Sequence, residues 1–422
     1  ISVAGPRQHV RRPLNFVNSW ICHETSQMVK DAQPGALLPA GITDVLPPNA
    51  VHEAVVLERA MAVLASFGYG RIKPPLIEFE DSLIGGLGAA VTHQTFRLMD
   101  PVSQRMMGLR ADMTPQAARI AQTRLTGAPR PLRLSYAGQV VRVKGSQMRP
   151  ERQFAQVGAE LIGADTENAD AEIICLAAET LNELGISDLS IDLTIPTLVS
   201  AALGDMANDQ TIMVQLREAL NRKDAAAITE LSPIIGDTVA GMLRAFLSAT
   251  GPASDALVAL EKLDLNDRAM LKCKILRQIM EAVVARMPSL QLTIDPVENR
   301  GFEYHTGVTF AIFAQGVRGE FGRGGRYLVH ANGPAPEEVA TGFSLFMDTI
   351  MRALPAAPAS PARIYLPIEA GVDRARQLRA EGWSVIEGLE ACEDATLEAR
   401  RLECSHLADA TGVRELNEQD GE

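Results

Sequence analysis

The chain has few cysteines, and no two of them stand at the spacing of a redox or metal-binding pair. The five, Cys22, Cys175, Cys273, Cys392 and Cys404, are odd in number and far apart. That pattern argues against a disulfide framework and implies a reduced, cytosolic protein. No uninterrupted apolar run approaches the roughly 20 residues needed to span a bilayer, so neither a transmembrane helix nor a membrane partner is expected. Positive charge is in deficit, with 40 Lys and Arg against 52 Asp and Glu and a formal net charge of −12. A surface of that sign disfavours holding nucleic acid by bulk electrostatics. No period of 20 to 50 residues marks a solenoid. The Gly-rich GRGGRY lacks the Lys-Ser/Thr of a phosphate-binding loop and reads instead as a tight hairpin.

The 422 residues suffice for one large domain and a small appended module, at about 150 residues per domain. Residues 1–35 have little periodicity and no signal-peptide core, and are expected to form a poorly ordered extension. A helix is predicted from Asn49, as its N-cap, to Gly68. Short strands follow around RIKPPLIEF, TFRLMD and RMMGLRAD, then a helix over TPQAARIAQTRL with Pro115 in its first turn. Strands at PLRLSYAGQVVRVK and RQFAQVGAELIG precede an amphipathic helix from about Asn168 to Leu184, ended by Gly185. LSIDLT alternates as a strand does, and residues 197–288 read as helical without a strand. QLTID, RGFEYHTGVTF and the Gly-rich hairpin come next, and a helix over EVATGFSLFMDTIMRAL closes the domain. PAAPASPA, residues 355–362, reads as a linker. Beyond it, a small β-α-β-α module is expected. Strand blocks interrupted by a helical insertion predict an α+β domain built on a mixed or antiparallel sheet.

Three stretches carry polar groups where a small ligand could use them. In RQFAQVGAELIG, Gln156, Gly158 and Glu160 share one face, so an amide and a carboxylate flank a glycine that leaves space between them. That face is either a pocket floor or the polar outside of a half-exposed strand. In LRADMTPQAAR, Asp112 and Thr114 stand just before a helix, either to bind an ammonium group or to cap the helix. In RGFEYHTGVTF, Arg300, Phe302 and Tyr304 share one side of a β-prone run, and an arginine among aromatics needs an anionic partner. That partner is either a structural carboxylate or the carboxylate of a ligand. His305 has no neighbouring ligand at metal spacing, and Cys404 and His406 read as bystanders, so no metal or cofactor is expected.

Four ordered stretches, LLPAGITDVLPP, LRADMTPQAAR, VVRVK…RQFAQVGAELIG and RGFEYHTGVTF…GGRY, resemble the class II histidyl-tRNA synthetases over residues 37–355. The resemblance implies an antiparallel sheet flanked by helices, usually in a dimer. It also implies that residues placed like Asp112, Thr114 and Gln156 hold the α-amino group of histidine. Glu160 engages the imidazole and Arg300 the carboxylate, while Tyr304, His305 and Tyr327 line the side-chain pocket. Arg142, the arginine retained from the second motif, joins this histidine-binding set.

Two departures change what the resemblance implies. Where the synthetases place an arginine on the last helix, in G-x-x-x-G-L-E-R, this chain has Thr349. The glutamate and arginine after Arg142 become Lys144 and Gly145. Loss of cations around the ATP phosphates should cost on the order of 10²–10³ in rate. Residues 356–422 are too short for a full anticodon-binding domain and look like a reduced relic of one. A histidine binder of synthetase fold without the ATP clamp resembles the regulatory-subunit family of ATP phosphoribosyltransferase, as does the wording DMTPQ. That resemblance implies a non-catalytic protein of histidine biosynthesis that is activating when free histidine is scarce and inhibitory when it binds. The implied partners are a second copy of the chain and short catalytic subunits, in a hetero-octamer. The alternative is a divergent enzyme that adenylates or transfers histidine.

Overall fold

A computed structural model of the chain describes residues 37–84, 92–145, 149–298, 304–330, 336–357, 362–409 and 411–416. The expected N-terminal extension, part of the linker, and Arg300 and Phe302 lie outside the described residues.

Helix α1 (Asn49–Ser66) starts one residue earlier than expected. Pro48 already has near-helical angles (φ −85°, ψ −7°), and Asn49 is the first helical residue rather than the N-cap. Then come β1 (Gly70–Ile72), β2 (Ile77–Phe79), β3 (Arg97–Met99), β4 (Met106–Leu109), α2 (Thr114–Thr123), β5 (Leu132–Val141) and β6 (Gln153–Ile162). Helix α3 (Glu167–Leu184) is capped by Thr166, whose hydroxyl accepts from the Ala169 amide, and is stopped by Gly185 at φ +98°. Strand β7 (Leu189–Thr194) leads into the helical insertion, which ends in α4 (Asp267–Arg286). The insertion is not free of strands, because Gly251 and Pro252 form the short β8, paired with β9 (Gln291–Ile294).

Strands β10 (His305–Ala314), β11 (Gly322–Val329) and β12 (Glu338–Phe346) follow. Here the sequence reading needs correction. EVATGFSLFMDTIMRAL is not one helix, because its first nine residues are β12 and helix α5 is confined to Met347–Ala353. From Ala340 to Phe346 the strand is buried on both faces, so the alternation that marks a half-buried strand is absent.

Nine strands form one sheet in the order β1-β5-β6-β12-β11-β10-β7-β9-β8, in which only β1–β5 and β7–β9 pair in parallel. Strands β2, β4 and β3 form a separate small sheet. The predicted α+β class, with a large antiparallel-rich sheet flanked by helices, is what the chain adopts. One face of the large sheet is apolar. Ala155, Val157, Ala159 and Leu161 of β6 pack with Val56, Ala60 and Leu64 of α1 and Ile174, Ala178 and Leu181 of α3. Each fully buried Leu, Ile or Val contributes about 1.5–3 kcal/mol. Arg326 of β11 points to this face and reaches Asp170 of α3 from Nη2 (2.7 Å) and Nε (3.1 Å). Asp170 is buried, so losing either partner strands a charge at a cost of about 3–5 kcal/mol.

The C-terminal segment builds its own sheet from β13 (Arg363–Leu366), β14 (Ser384–Glu387), β15 (His406–Ala408) and β16 (Val413–Glu415), in the order β14-β13-β15-β16. Its β-α-β-α start was legible; the last two strands were not read. Two small clusters, one around Ile364 and Leu378 and one around Tyr365 and Cys404, form its core.

Candidate functional site

The opposite face of the large sheet carries the polar groups. Residues directly opposed in an antiparallel pair face the same side. The register therefore sets Tyr136, Gly158, Ser344 and Arg323 in one row across β5, β6, β12 and β11. The adjacent row holds Leu134, Glu160, Gly342 and Gly325. Two glycines are required by this arrangement. A Cβ on Gly158 would lie 2.5 Å from the Tyr136 hydroxyl, and one on Gly342 would lie 1.8 Å from Glu160 Oε2.

β6 is buried from Phe154 to Ile162, which excludes the half-exposed reading of this strand. Glu160 is fully buried, and its two oxygens accept from Tyr136 (2.9 Å) and Tyr327 (2.8 Å). Burial pushes its pKa up to about 8, against the hydrogen bonds from Tyr327, Thr114 and Tyr136, while the charge of Asp112 adds to the rise. Burial likewise raises the phenols of Tyr136, Tyr304 and Tyr327, so all three stay neutral donors. Gln156 is held on three sides. Its Oε1 accepts from the Met113 amide (3.0 Å), and its Nε2 donates to Asp112 Oδ1 (3.2 Å) and to Ser344 Oγ.

Asp112 Oδ1 also accepts from the Thr114 amide (2.9 Å) at the start of α2, while Thr114 Oγ1 pairs with the Tyr136 hydroxyl at 3.1 Å. The N-cap of α2 is Met113, without a side-chain cap bond, so Asp112 stands one residue before it and holds the Thr114 amide rather than capping the helix. The other Asp112 oxygen has no hydrogen-bond partner among the described residues.

Asp112, Thr114, Glu160, Tyr304, His305 and Tyr327 line one cleft that is open to solvent. Tyr304 and His305 form part of its wall, with ring centroids 3.9 Å apart. Gln156 stands behind Asp112. Arg142 does not line the cleft; its Nε donates to the Ala111 carbonyl (3.3 Å) and its guanidinium sits 5.0 Å from the Phe154 ring. Burial, joined by repulsion from Arg149 and Arg323 and opposed by the pull of Asp112, lowers the Arg142 pKa to about 10. Arg300 falls outside the described residues. Among these residues no cluster of three or more His, Cys, Asp or Glu has the arrangement of a metal site.

Three lining or supporting residues were not singled out from sequence. Tyr136 was legible as the middle of the alternating series Leu134, Tyr136, Gly138. Ser344 was hidden by the helical reading of GFSLF. Arg323 was hidden by the reading of GRGGRY as hairpin loop, whereas those residues lie within β11.

Next to the cleft, Arg149 stacks at 3.6 Å over Phe346 and donates from Nε to Asp348 Oδ2 (3.0 Å). Thr349 is buried on α5, where its hydroxyl accepts from Arg352 (3.1 Å). Among the described residues no helix is long and apolar enough to cross a membrane.

The family profile described as histidyl-tRNA synthetase matches residues 41–350. An ATP phosphoribosyltransferase regulatory subunit from Paramagnetospirillum magneticum is 50% identical over 383 residues, 90% of this chain and 98% of that protein. One from Rhodospirillum centenum is 49% identical over 384 residues, covering 91% and 97%. Solved structures show the same fold. An ATP phosphoribosyltransferase regulatory subunit/histidyl-tRNA synthetase from Bacillus halodurans C superposes with a TM-score of 0.76 at 24% identity, over 90% of this chain and 98% of that one. The histidyl-tRNA synthetase of a Nostoc species superposes at 0.68 and 18% identity, over 92% and 95%. The chain belongs to the family of ATP phosphoribosyltransferase regulatory subunits, built on the histidyl-tRNA synthetase fold.

Proposed function

We propose that the chain binds free histidine in this cleft and that its occupancy governs a separate, short catalytic ATP phosphoribosyltransferase subunit, activating it when empty and inhibiting it when filled. The observation that carries the reading is the pairing of two differently built acids across a glycine floor. Glu160, enclosed by two tyrosine donors, suits a group that shares a proton, such as imidazole. Asp112, with one oxygen fixed by Thr114 and Gln156 and the other without a described partner, suits an ammonium group. Histidine carries both.

The same reading makes the chain non-catalytic. Adenylation needs cations at the ATP phosphates, and the position where the synthetases place an arginine is the buried Thr349. Arg149, close by, is neutralised by Asp348. The chain then acts through contact with its partner, as a dimer within a hetero-oligomer, and the relatives' names support that role.

Thermal denaturation with and without ligand tests the reading. Histidine at 100 times its dissociation constant should add about 2.7 kcal/mol, visible as a rise in Tm, whereas ATP should add nothing. Absence of a shift with millimolar histidine removes the pocket assignment. A short catalytic subunit that neither co-purifies with the chain nor responds to it removes the regulatory one.

A further inference from the structure

We propose that Arg323 reads the carboxylate of the bound ligand, so that the cleft selects an amino acid over analogues lacking that charge. The inference rests on the amino-acid reading of the cleft and assigns a role that sequence reasoning gave to Arg300 alone. Arg323 stands opposite Ser344 in the β11–β12 register. Ser344 turns its hydroxyl to Gln156 and Tyr136, so Arg323 lies on the site face and lines the cleft.

The described arginines near the cleft divide by what already occupies them. Arg326 points to the other face and is held by Asp170. Arg149 is paired with Asp348 and also donates to the Glu320 carbonyl. Arg142 is stacked behind Asp112, outside the lining. Arg323 uses Nη2 on Glu320 Oε2 (2.6 Å) and lies 5.7 Å from the centre of the Phe346 ring, while its remaining N–H groups have no hydrogen-bond acceptor among the described residues. Its side chain is 48% exposed. The Glu320 pair therefore orients the guanidinium without burying it, and solvent screens the neutralisation.

The cleft otherwise presents two carboxyl groups, Asp112 and the proton-holding Glu160. A simple anion meets Asp112, and a simple cation leaves Arg323 unused. A zwitterion satisfies both signs. Glu160 on β6 and Arg323 on β11 stand two strands apart and one row apart, roughly 9.5 Å across the sheet and about 7 Å along it, or about 12 Å between backbones, and the strand between them presents Gly342 beside Glu160 and Ser344 beside Arg323. A ligand lying on that floor with its ring at Glu160 brings its carboxylate toward Arg323, and the planar fork of a guanidinium can take both carboxylate oxygens.

Calorimetric titration of the full chain with L-histidine and with L-histidinol, which keeps ring and ammonium and replaces the carboxylate by an alcohol, tests this. The natural chain should prefer histidine by about tenfold or more, the worth of one charge-assisted hydrogen bond. Arg323→Gln should collapse that preference to about threefold or less by weakening histidine and leaving histidinol nearly unchanged. Arg323→Lys, which keeps the charge, should recover part of it and serves as the second variant if the glutamine protein melts early. Equal weakening of both ligands, or a preference unchanged in both variants, overturns the role of Arg323 and leaves the pocket standing. A natural chain that binds neither ligand overturns the amino-acid reading itself.

Discussion

Tyr327 on β11 reaches across β12 to donate a 2.8 Å hydrogen bond to Glu160 on β6, and it does so over Gly342. The two side chains meet because the strand between them has no Cβ at that point. A methyl group there would lie 1.8 Å from Glu160 Oε2 and 2.7 Å from the Ala159 carbonyl.

Gly342→Ala should therefore displace Glu160 from both tyrosines. Overpacking of this kind costs about 1–3 kcal/mol, and the histidine-dependent rise in Tm should disappear with it. Thermal denaturation with and without histidine reads both effects. A variant that keeps the full histidine shift would show that Glu160 does not contact the ligand.

The state of Glu160 gives the site a pH signature. Its folded pKa, raised to about 8 by burial, lies above the unfolded value near 4.3. Between those values the folded chain holds a proton that the unfolded chain has lost, so this residue's contribution to stability falls as pH rises through that window and levels off above pH 8. Glu160→Gln should remove that slope from the unfolding free energy measured by urea denaturation between pH 5 and 9. In binding, one proton shared between Glu160 and an imidazole is conserved only between the imidazole pKa near 6.5 and about 8. Histidine affinity should peak in that interval. A flat profile across it would contradict the proton-sharing role.

Much of this was legible because the informative residues sit where local rules are strong. Gly185 stops α3 where the sequence places its end, while the cap Thr166 lies two residues before the start read from sequence, and Gln156, Gly158 and Glu160 alternate onto one face of β6 as the period of a strand requires. The failures arose where burial erases pattern. β12 is buried on both faces from Ala340 onward, so its apolar run imitates a helix and conceals Ser344. Arg323 was missed because glycines on either side suggested a turn, whereas in the fold those glycines let neighbouring strands and side chains approach. The convergence of Asp112, Glu160 and Tyr327 comes from three distant segments and follows from sheet register, which no single stretch encodes.

Thr349 sets the expectation for the synthetase reaction. Pyrophosphate exchange with histidine and ATP should be absent in the natural chain. Thr349→Arg should not create it, because the position is buried and already bonded to Arg352. The variant should instead be destabilised, by about 1–3 kcal/mol for an overpacked site or more if the charge stays unpaired. Robust exchange by either protein would favour the enzyme reading.

The last expectation concerns how a cleft on this chain governs chemistry on another. A ligand shifts an equilibrium only through different affinities for its two states, so histidine must prefer the inhibited arrangement of the complex. Linkage makes the preference reciprocal. If histidine weakens phosphoribosyl pyrophosphate binding at the catalytic subunits, phosphoribosyl pyrophosphate must weaken histidine binding here by the same factor, about 5 to 150-fold for a coupling of about 1–3 kcal/mol. Calorimetric titration of histidine into the assembled complex, with and without phosphoribosyl pyrophosphate, measures that factor. Equal affinities alongside inhibition would place the effect of histidine on turnover, since reciprocity binds equilibrium affinities and leaves rates unconstrained. No binding in either titration would leave the chain as a scaffold for its partner, with Asp112 and Glu160 facing a cleft that has lost its ligand.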